Sequence, residues 1–446
     1  MPAAARPSGI DLLSEVTCPN CWERFPPEAA LAIAGHGELR GERGDPMLAE
    51  TELRRFLPTR FTPECAALDE LDTPSFDLAC PHCHLLVPRV LFERQDTVFL
   101  SIFGAVHSGK SYFLAAMARQ MEVALPQRFG LGVTEPHPAS NALIRSYKDA
   151  LFNNPDPNAL VFIPITPPTG AKHYMTVRRA GYEGEPLQYP RPQFFQVAPT
   201  VRHPHAASPL RHARTICLYD NSGEHFKPGW ASPSKPETEH LARSSAMLFV
   251  FDPIREPAFN QLCRSRSEDP QFKLAETEQP HTSQDVILAT ADANVKKRLG
   301  REIADPLETP LVVIVGKFDV WRHLAAEDLP EFATGGERDA STIQCFQPGI
   351  VQQVSARTRE MLVKFCPGVV AAAERFSRRV CYVPVSATGC SPKELGSDLS
   401  VTPPKPVFKF PGGSLRPIWA EVPLLWVLDQ VTTGLVRPER PKAAAR

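Results

Sequence analysis

Apolar residues fall along this chain in two kinds of run. The first kind is short, nearly continuous and rich in β-branched and aromatic residues: VFLSIF from Val98, RTICLYD at 214–220, MLFVFD at 247–252, LVVIVG at 311–316 and RVCYVPVSA at 379–387. Such runs suit strands of a parallel sheet covered on both faces. The second kind has helical spacing. Phe113, Leu114, Met117 and Met121 recur near i, i+4 in SYFLAAMARQMEVAL. ASNALIRSYKDALF, with Asn141 or Ser140 as its cap, SQDVILATADANVKKRLGREI, residues 347–378 and PIWAEVPLLWVLDQV at 417–431 also read as helices. Strands near 98, 214, 247, 311 and 380 alternate with these helices, which predicts an α/β fold, a mainly parallel sheet flanked by helices. Before the first strand, EAALAIA and MLAETELRRFL look helical within 22–79. The Pro- and His-rich stretch 154–210 predicts long loops with short strands, and the terminal RPERPKAAAR a frayed tail.

Composition narrows the picture. With 43% hydrophobic and 22% charged residues, the chain resembles an ordinary globular protein. Lys+Arg is 49 against Asp+Glu 50, which argues against a strongly basic nucleic-acid coat and makes nucleic acid an unlikely partner. We find no apolar run long enough for a transmembrane helix and no apolar core of a secretory signal near the N-terminus. Eleven cysteines, four of them in two Cys-x-x-Cys pairs, suit a reducing cytoplasm with one metal site better than a disulfide scaffold.

The first strand runs into Gly104-Ala-Val-His107-Ser108-Gly109-Lys110-Ser111, which satisfies G-x-x-x-x-G-K-[ST] in the strand–loop–helix context the motif needs. The glycines would let backbone N–H groups turn inward to phosphate oxygens, Lys110 would reach the β and γ phosphates, and Ser111 would ligate Mg2+. Asp220 ends a strand and opens Asp220-Asn-Ser-Gly223-Glu224, which resembles the D-x-x-G motif of GTPases. There the aspartate holds the Mg2+ shell and the glycine N–H senses the γ phosphate, while Glu224 takes the position of a residue that orients the attacking water. Gly316-Lys317-Phe318-Asp319 resembles the guanine-reading [N/T]-K-x-D motif. The Asp319 carboxylate would accept guanine's N1–H and exocyclic amine, a donor pair adenine lacks, and Lys317 would lay its stem along the base. Gly316 replaces the Asn or Thr whose side chain ties this loop to the phosphate loop. Ser386-Ala387-Thr388 resembles the S-A loop that meets the guanine oxygen through backbone N–H. Thr166, Thr169 and Thr200 are candidates for a switch threonine covering Mg2+, and the long stretch between Ser111 and Asp220 predicts a lid or partner surface.

Cys18-Pro-Asn-Cys21 and Cys80-Pro-His-Cys83 are matching knuckles, and their four thiolates suit a closed, structural Zn2+ site. Redox activity at one pair is the rival, though a thioredoxin-like context is missing. His82 and His84 read as bystanders, Cys65 as a buried thiol, and His203 and His205 as part of a solvated loop.

In their order along the chain, the knuckle pair, GAVHSGKS, LYDNSGE, MLFVFDP, VGKFD and VSAT resemble the bacterial double-GTPase family, P-loop GTPase-like proteins associated with conflict or defence systems. The likeness spans about residues 15–432 and includes Asp252-Pro253 and the closing PLLWVL helix. It implies a GTPase-type fold that binds GTP or GDP, any hydrolysis being slow, and a partner GTPase encoded elsewhere. The expected organisation is a zinc-knuckle domain with a helical insertion at 1–97, a P-loop GTPase-like domain at 98–432 and a flexible tail at 433–446. A P-loop ATPase and a nucleotide-dependent interaction module without hydrolysis are the alternatives.

Overall fold

The apolar runs pair side by side in one seven-stranded sheet. In the computed structural model, which describes residues 12–93, 96–163, 174–177, 187–220, 238–272, 282–325, 327–334, 343–398 and 405–437, its strands are β1 (Asp96–Gly104), β2 (Leu131–Thr134), β3 (Gln193–Pro199), β4 (Arg214–Asp220), β5 (Ala246–Phe251), β6 (Leu311–Val315) and β7 (Val380–Pro384). Their spatial order is β2-β3-β4-β1-β5-β6-β7. Strands β4, β1, β5, β6 and β7 are parallel, and β3 runs antiparallel to both its neighbours. Helices α1 (Lys110–Ala124), α2 (Ala142–Phe152), α3 (Pro257–Arg264), α4 (Gln284–Arg298), α5 (Pro348–Phe365), α6 (Pro367–Phe376) and α7 (Val422–Val431) complete the α/β architecture.

Strand alternation explains why both faces are covered. Leu248 and Val250 of β5 point into one core with Phe113 and Met117 of α1 and Leu424 and Leu428 of α7. Met247, Phe249 and Phe251 point into the opposite core, against Ile287 and Leu288 of α4, Leu362 of α5 and Val369 of α6. Each such side chain contributes about 1.5–3 kcal/mol by leaving water.

A third core joins the knuckle region to the sheet. Val16, Cys18, Phe25, Cys80, Cys83 and Phe92 pack with Phe194, Cys217 and Tyr219 of β3 and β4. Two expectations change here. The stretch expected to be helical within 22–79 instead contributes Leu31–Ile33, Arg55–Phe56 and Leu78–Ala79, which pair with Leu86–Val87 in a four-stranded antiparallel sheet. Pro26 and Pro27 before EAALAIA and Gly35 after it leave too few residues for a stable helix, so non-local strand pairing wins. Asn141 does precede α2, yet its side chain makes no cap. Its amide instead exchanges two 2.8 Å hydrogen bonds with the backbone of Phe194, clamping β3.

Candidate nucleotide site and four-cysteine cluster

The parallel register brings the carboxyl ends of five strands to one edge of the sheet: Asp220 lies opposite Ile102, Val250 opposite Gly104, Phe251 opposite Val315, and Val315 opposite Pro384. In open α/β sheets this is the edge that meets ligands. The phosphate loop leaves β1 there. Gly104 has φ +154, and a Cβ on it would stand 2.5 Å from the Val250 carbonyl oxygen, so glycine is required. Gly109, with φ 90, turns the chain into α1, and His107 also takes a left-handed conformation, with φ 62. Lys110 folds back over the loop and donates to the carbonyls of Gly104 (3.1 Å) and Ala105 (2.9 Å). Ser111 follows, half-buried, in the first turn of α1. The Ser108 Oγ is buried with no hydrogen-bond partner among the described residues.

Asp220 ends the strand beside β1. Its Oδ1 is buried and likewise has no hydrogen-bond partner among the described residues. Burial pushes its carboxyl up to about 6, while the Lys110 ammonium pulls it down. A carboxylate oxygen without a partner next to a lysine-bearing phosphate loop fits the oxygen ligand set of Mg2+. Gly223, Glu224, Thr166 and Thr169 lie outside the described residues. Thr200 sits just past β3, at the opposite end of the sheet, and its hydroxyl donates to Gly130 at 2.8 Å, which removes it as a switch candidate.

The two loops expected to read the base meet each other. Lys317 has φ 57, and Phe318–Trp321 form one helical turn. The Phe318 N–H donates to the Val385 carbonyl at 3.1 Å. The fully buried Ser386 donates its hydroxyl to Asp319 Oδ1 at 2.5 Å and accepts from the Gly389 N–H at 2.7 Å. Burial raises the Asp319 carboxyl and the Ser386 hydrogen bond lowers it. The Ser386 N–H is taken by the Ile418 carbonyl at 3.1 Å, and Ala387 follows, half-buried.

Residues outside the predicted set complete this edge. Lys317 Nζ lies 2.7 Å from Oδ2 of the fully buried Asp252. Arg255 stands 3.7 Å from the same oxygen and donates to the Val106 carbonyl of the phosphate loop at 3.2 Å. The phrase FDPIR, with Asp and Arg three apart after a strand, carries this signal. Asp269, buried, is raised by burial, with Lys317 and a hydrogen bond from Ser391 opposing that. Its distance along the chain from the base loops hid it.

On the flank of β4, Cys18, Cys21, Cys80 and Cys83 bring their sulfurs within 4.8 Å of one another. The two knuckles repeat each other's geometry. The N–H groups of Asn20 and His82 each donate to the first sulfur of their knuckle at 3.3 Å, and Trp22 (φ 64) and His84 (φ 60) turn left-handed after the second cysteine. Four converging thiols fit a tetrahedral Zn2+. His84 is engaged with Asp45 at 2.7 Å, in keeping with a bystander. The first knuckle touches the end of β4 directly. The Tyr219 hydroxyl donates to the Pro19 carbonyl at 2.5 Å, and Trp22 packs on the Tyr219 ring at 5.6 Å, one residue before Asp220.

Two other expectations fail. Cys65 is exposed, in a turn with φ 66, rather than buried. His203 is buried rather than solvated: its Nε2 donates to the Leu435 carbonyl at 3.0 Å and its Nδ1 accepts from the His205 N–H at 3.1 Å.

No protein-family model matches the chain, and no curated protein does. Among solved structures, sup35 complexed with GDP is similar at 12% identity and a TM-score of 0.23, over 66% of this chain and 38% of that one. Sup35 complexed with GMPPNP gives 13% and 0.21 over the same shares, 66% and 38%. The chain thus spans 38% of the length of these structures, and at such TM-scores neither likeness adds to what the chain's own geometry shows.

Proposed function

We propose that this chain is a guanine-nucleotide-binding, P-loop GTPase-like switch. The observation that carries the reading is the clasp between Ser386 and Asp319, set 67 residues apart in sequence, at the same sheet edge as the phosphate loop. A carboxylate fixed by one hydroxyl keeps its remaining lone pairs for guanine's N1–H and exocyclic amine, and adenine would leave them unpaired. In this reading Lys110 and the N–H groups of Gly104 to Ser111 hold phosphate, with His107 and Ser108 in the loop. Ser111 and Asp220 take Mg2+, Lys317 flanks the base, and the backbone contact to it falls to Ala387. The Asp220 oxygen, without a hydrogen-bond partner among the described residues, supports the metal role.

Displacement of a fluorescent GTP analogue from the purified protein with Mg2+ tests this. GTP and GDP should displace it at least ~100-fold better than ATP and ADP, a difference of about 2.7 kcal/mol, and Asp319→Ala should erase the difference. Equal displacement by ATP would replace the reading with a P-loop ATPase. We assign Glu224 to positioning the attacking water and Gly223 to sensing the γ phosphate. Glu224→Gln should slow GTP hydrolysis and spare binding, whereas no hydrolysis by the unaltered chain would leave a nucleotide-dependent interaction module. The four cysteines are assigned to structural Zn2+. The double-GTPase resemblance supports a partner GTPase in a conflict or defence setting, which co-purification with GTPases encoded nearby would test.

A further inference from the structure

Gly316 offers no side chain to tie the base loop to the phosphate loop, yet the two loops are joined. The Lys317 ammonium binds Asp252 Oδ2 at 2.7 Å, Arg255 stands 3.7 Å from that oxygen, and the Arg255 guanidinium donates to the Val106 carbonyl at 3.2 Å. Asp252 is held on every side. Its Oδ1 accepts from the Ile254 N–H at 3.3 Å, and its backbone N–H and carbonyl bond the Gln284 amide at 2.8 and 2.9 Å. Gln284 is itself buried and also donates to Glu256 at 2.9 Å. A fully buried carboxylate is costly unless paired, so an Asp252 flanked by two cations locks both in place.

We propose that Arg255 is a positioning residue that, through Asp252, couples base recognition to the phosphate grip and stands in for the side chain missing at Gly316. This rests on the guanine-nucleotide reading above and adds a mechanism to it. Lys317 alone cannot do the work, because its ammonium ends on Asp252. Among the described residues, it is Arg255 that bridges from that carboxylate to the phosphate loop. Its guanidinium geometry matters, since one planar group must face a carboxylate and a carbonyl together.

The test uses the full chain with Mg2+ and a fluorescent GDP analogue, comparing the unaltered protein with Arg255→Gln, Gly316→Asn and the double variant. Among the described residues, a Cβ at Gly316 would meet the Phe251 carbonyl oxygen alone, at 3.3 Å, so a small side chain enters with a slight shift. Arg255→Gln should weaken guanine-nucleotide binding about tenfold, some 1.4 kcal/mol. Gly316→Asn should change the unaltered protein little and restore most of the loss in the double variant. Hydrogen exchange across residues 104–111 without nucleotide should be faster in Arg255→Gln. Undiminished binding by Arg255→Gln, or a loss that Gly316→Asn fails to restore, overturns the proposal. If the unaltered chain binds no guanine nucleotide, the functional reading fails by itself. Exchange at 104–111 then decides alone: faster exchange in Arg255→Gln upholds the tie, and unchanged exchange overturns it.

Discussion

The two halves of the functional edge are built by opposite means. On the side of the 104–111 loop, parallel strands of five to nine residues bury most of their side chains in the two cores on the faces of the sheet and in the third core shared with the knuckles, and the connecting loops hang from that scaffold. On the knuckle side, the strands are two or three residues long, and the tightest convergence is of four sulfurs. Short ladders bury little apolar area, so cohesion there rests on the core shared with β3 and β4 and, on the proposed zinc reading, on the metal the four thiols would hold. One region is a sheet from which loops hang; the other gathers short strands around four converging thiols and a core shared with that sheet.

Metal removal should have the largest effect. Chelation, or Cys80→Ser, should abolish zinc binding and unfold residues 12–93 while the sheet persists. Structural zinc in small peptides contributes on the order of 10 kcal/mol, so metal analysis with limited proteolysis should register complete loss; survival of the region without metal would end the contrast. Next comes the sheet core. Phe249, fully buried, should cost about 3–5 kcal/mol as Phe249→Ala in chemical denaturation, with zinc content unchanged.

The join between the regions is subtler. Tyr219→Phe removes the hydroxyl that meets Pro19, and a loss of about 1–2 kcal/mol is expected with metal retained. If nucleotide affinity also falls in that variant, the knuckle steadies Asp220 as well as packing beside it. The smallest effect should be at His203. Burial holds its imidazole below the ordinary range, and its Nδ1 accepts the His205 N–H, a bond that protonation would break. The unfolded chain therefore takes the proton first as pH falls. This contribution to stability is complete above the ordinary histidine value, about 6.5, and declines as pH drops through it. Denaturation midpoints followed from pH 8 to 5 should fall less steeply in His203→Gln than in the unaltered chain.

Much of the scaffold is legible in the sequence because its signals are local. Five apolar runs named five of the seven strands, and RTICLYD matched β4 residue for residue. The conformation of the 104–111 loop is legible because Gly104 and Gly109 occupy backbone conformations that restrict the residue type, so composition there reports geometry. The knuckles were legible for a similar reason, two matching tetrapeptides. EAALAIA misled because its helical spacing is genuine but too brief to outweigh pairing with strands tens of residues away. Asp252 was visible as a strand ending but not as the anchor of Lys317, and Asp269 was not visible at all.

The chain's own order of residues thus determined the alternation of strands and helices, the left-handed loop from Gly104 to Ser111 and the two cysteine knuckles, since each depends on neighbours a few positions apart. Only the tertiary structure decided that Ser386 would hold Asp319, that Arg255 would reach Val106, and that Pro19 would sit on Tyr219 beside Asp220. Those contacts join segments far apart in the chain, and their partners are chosen by the register of the sheet and the packing on its faces, which no local pattern encodes.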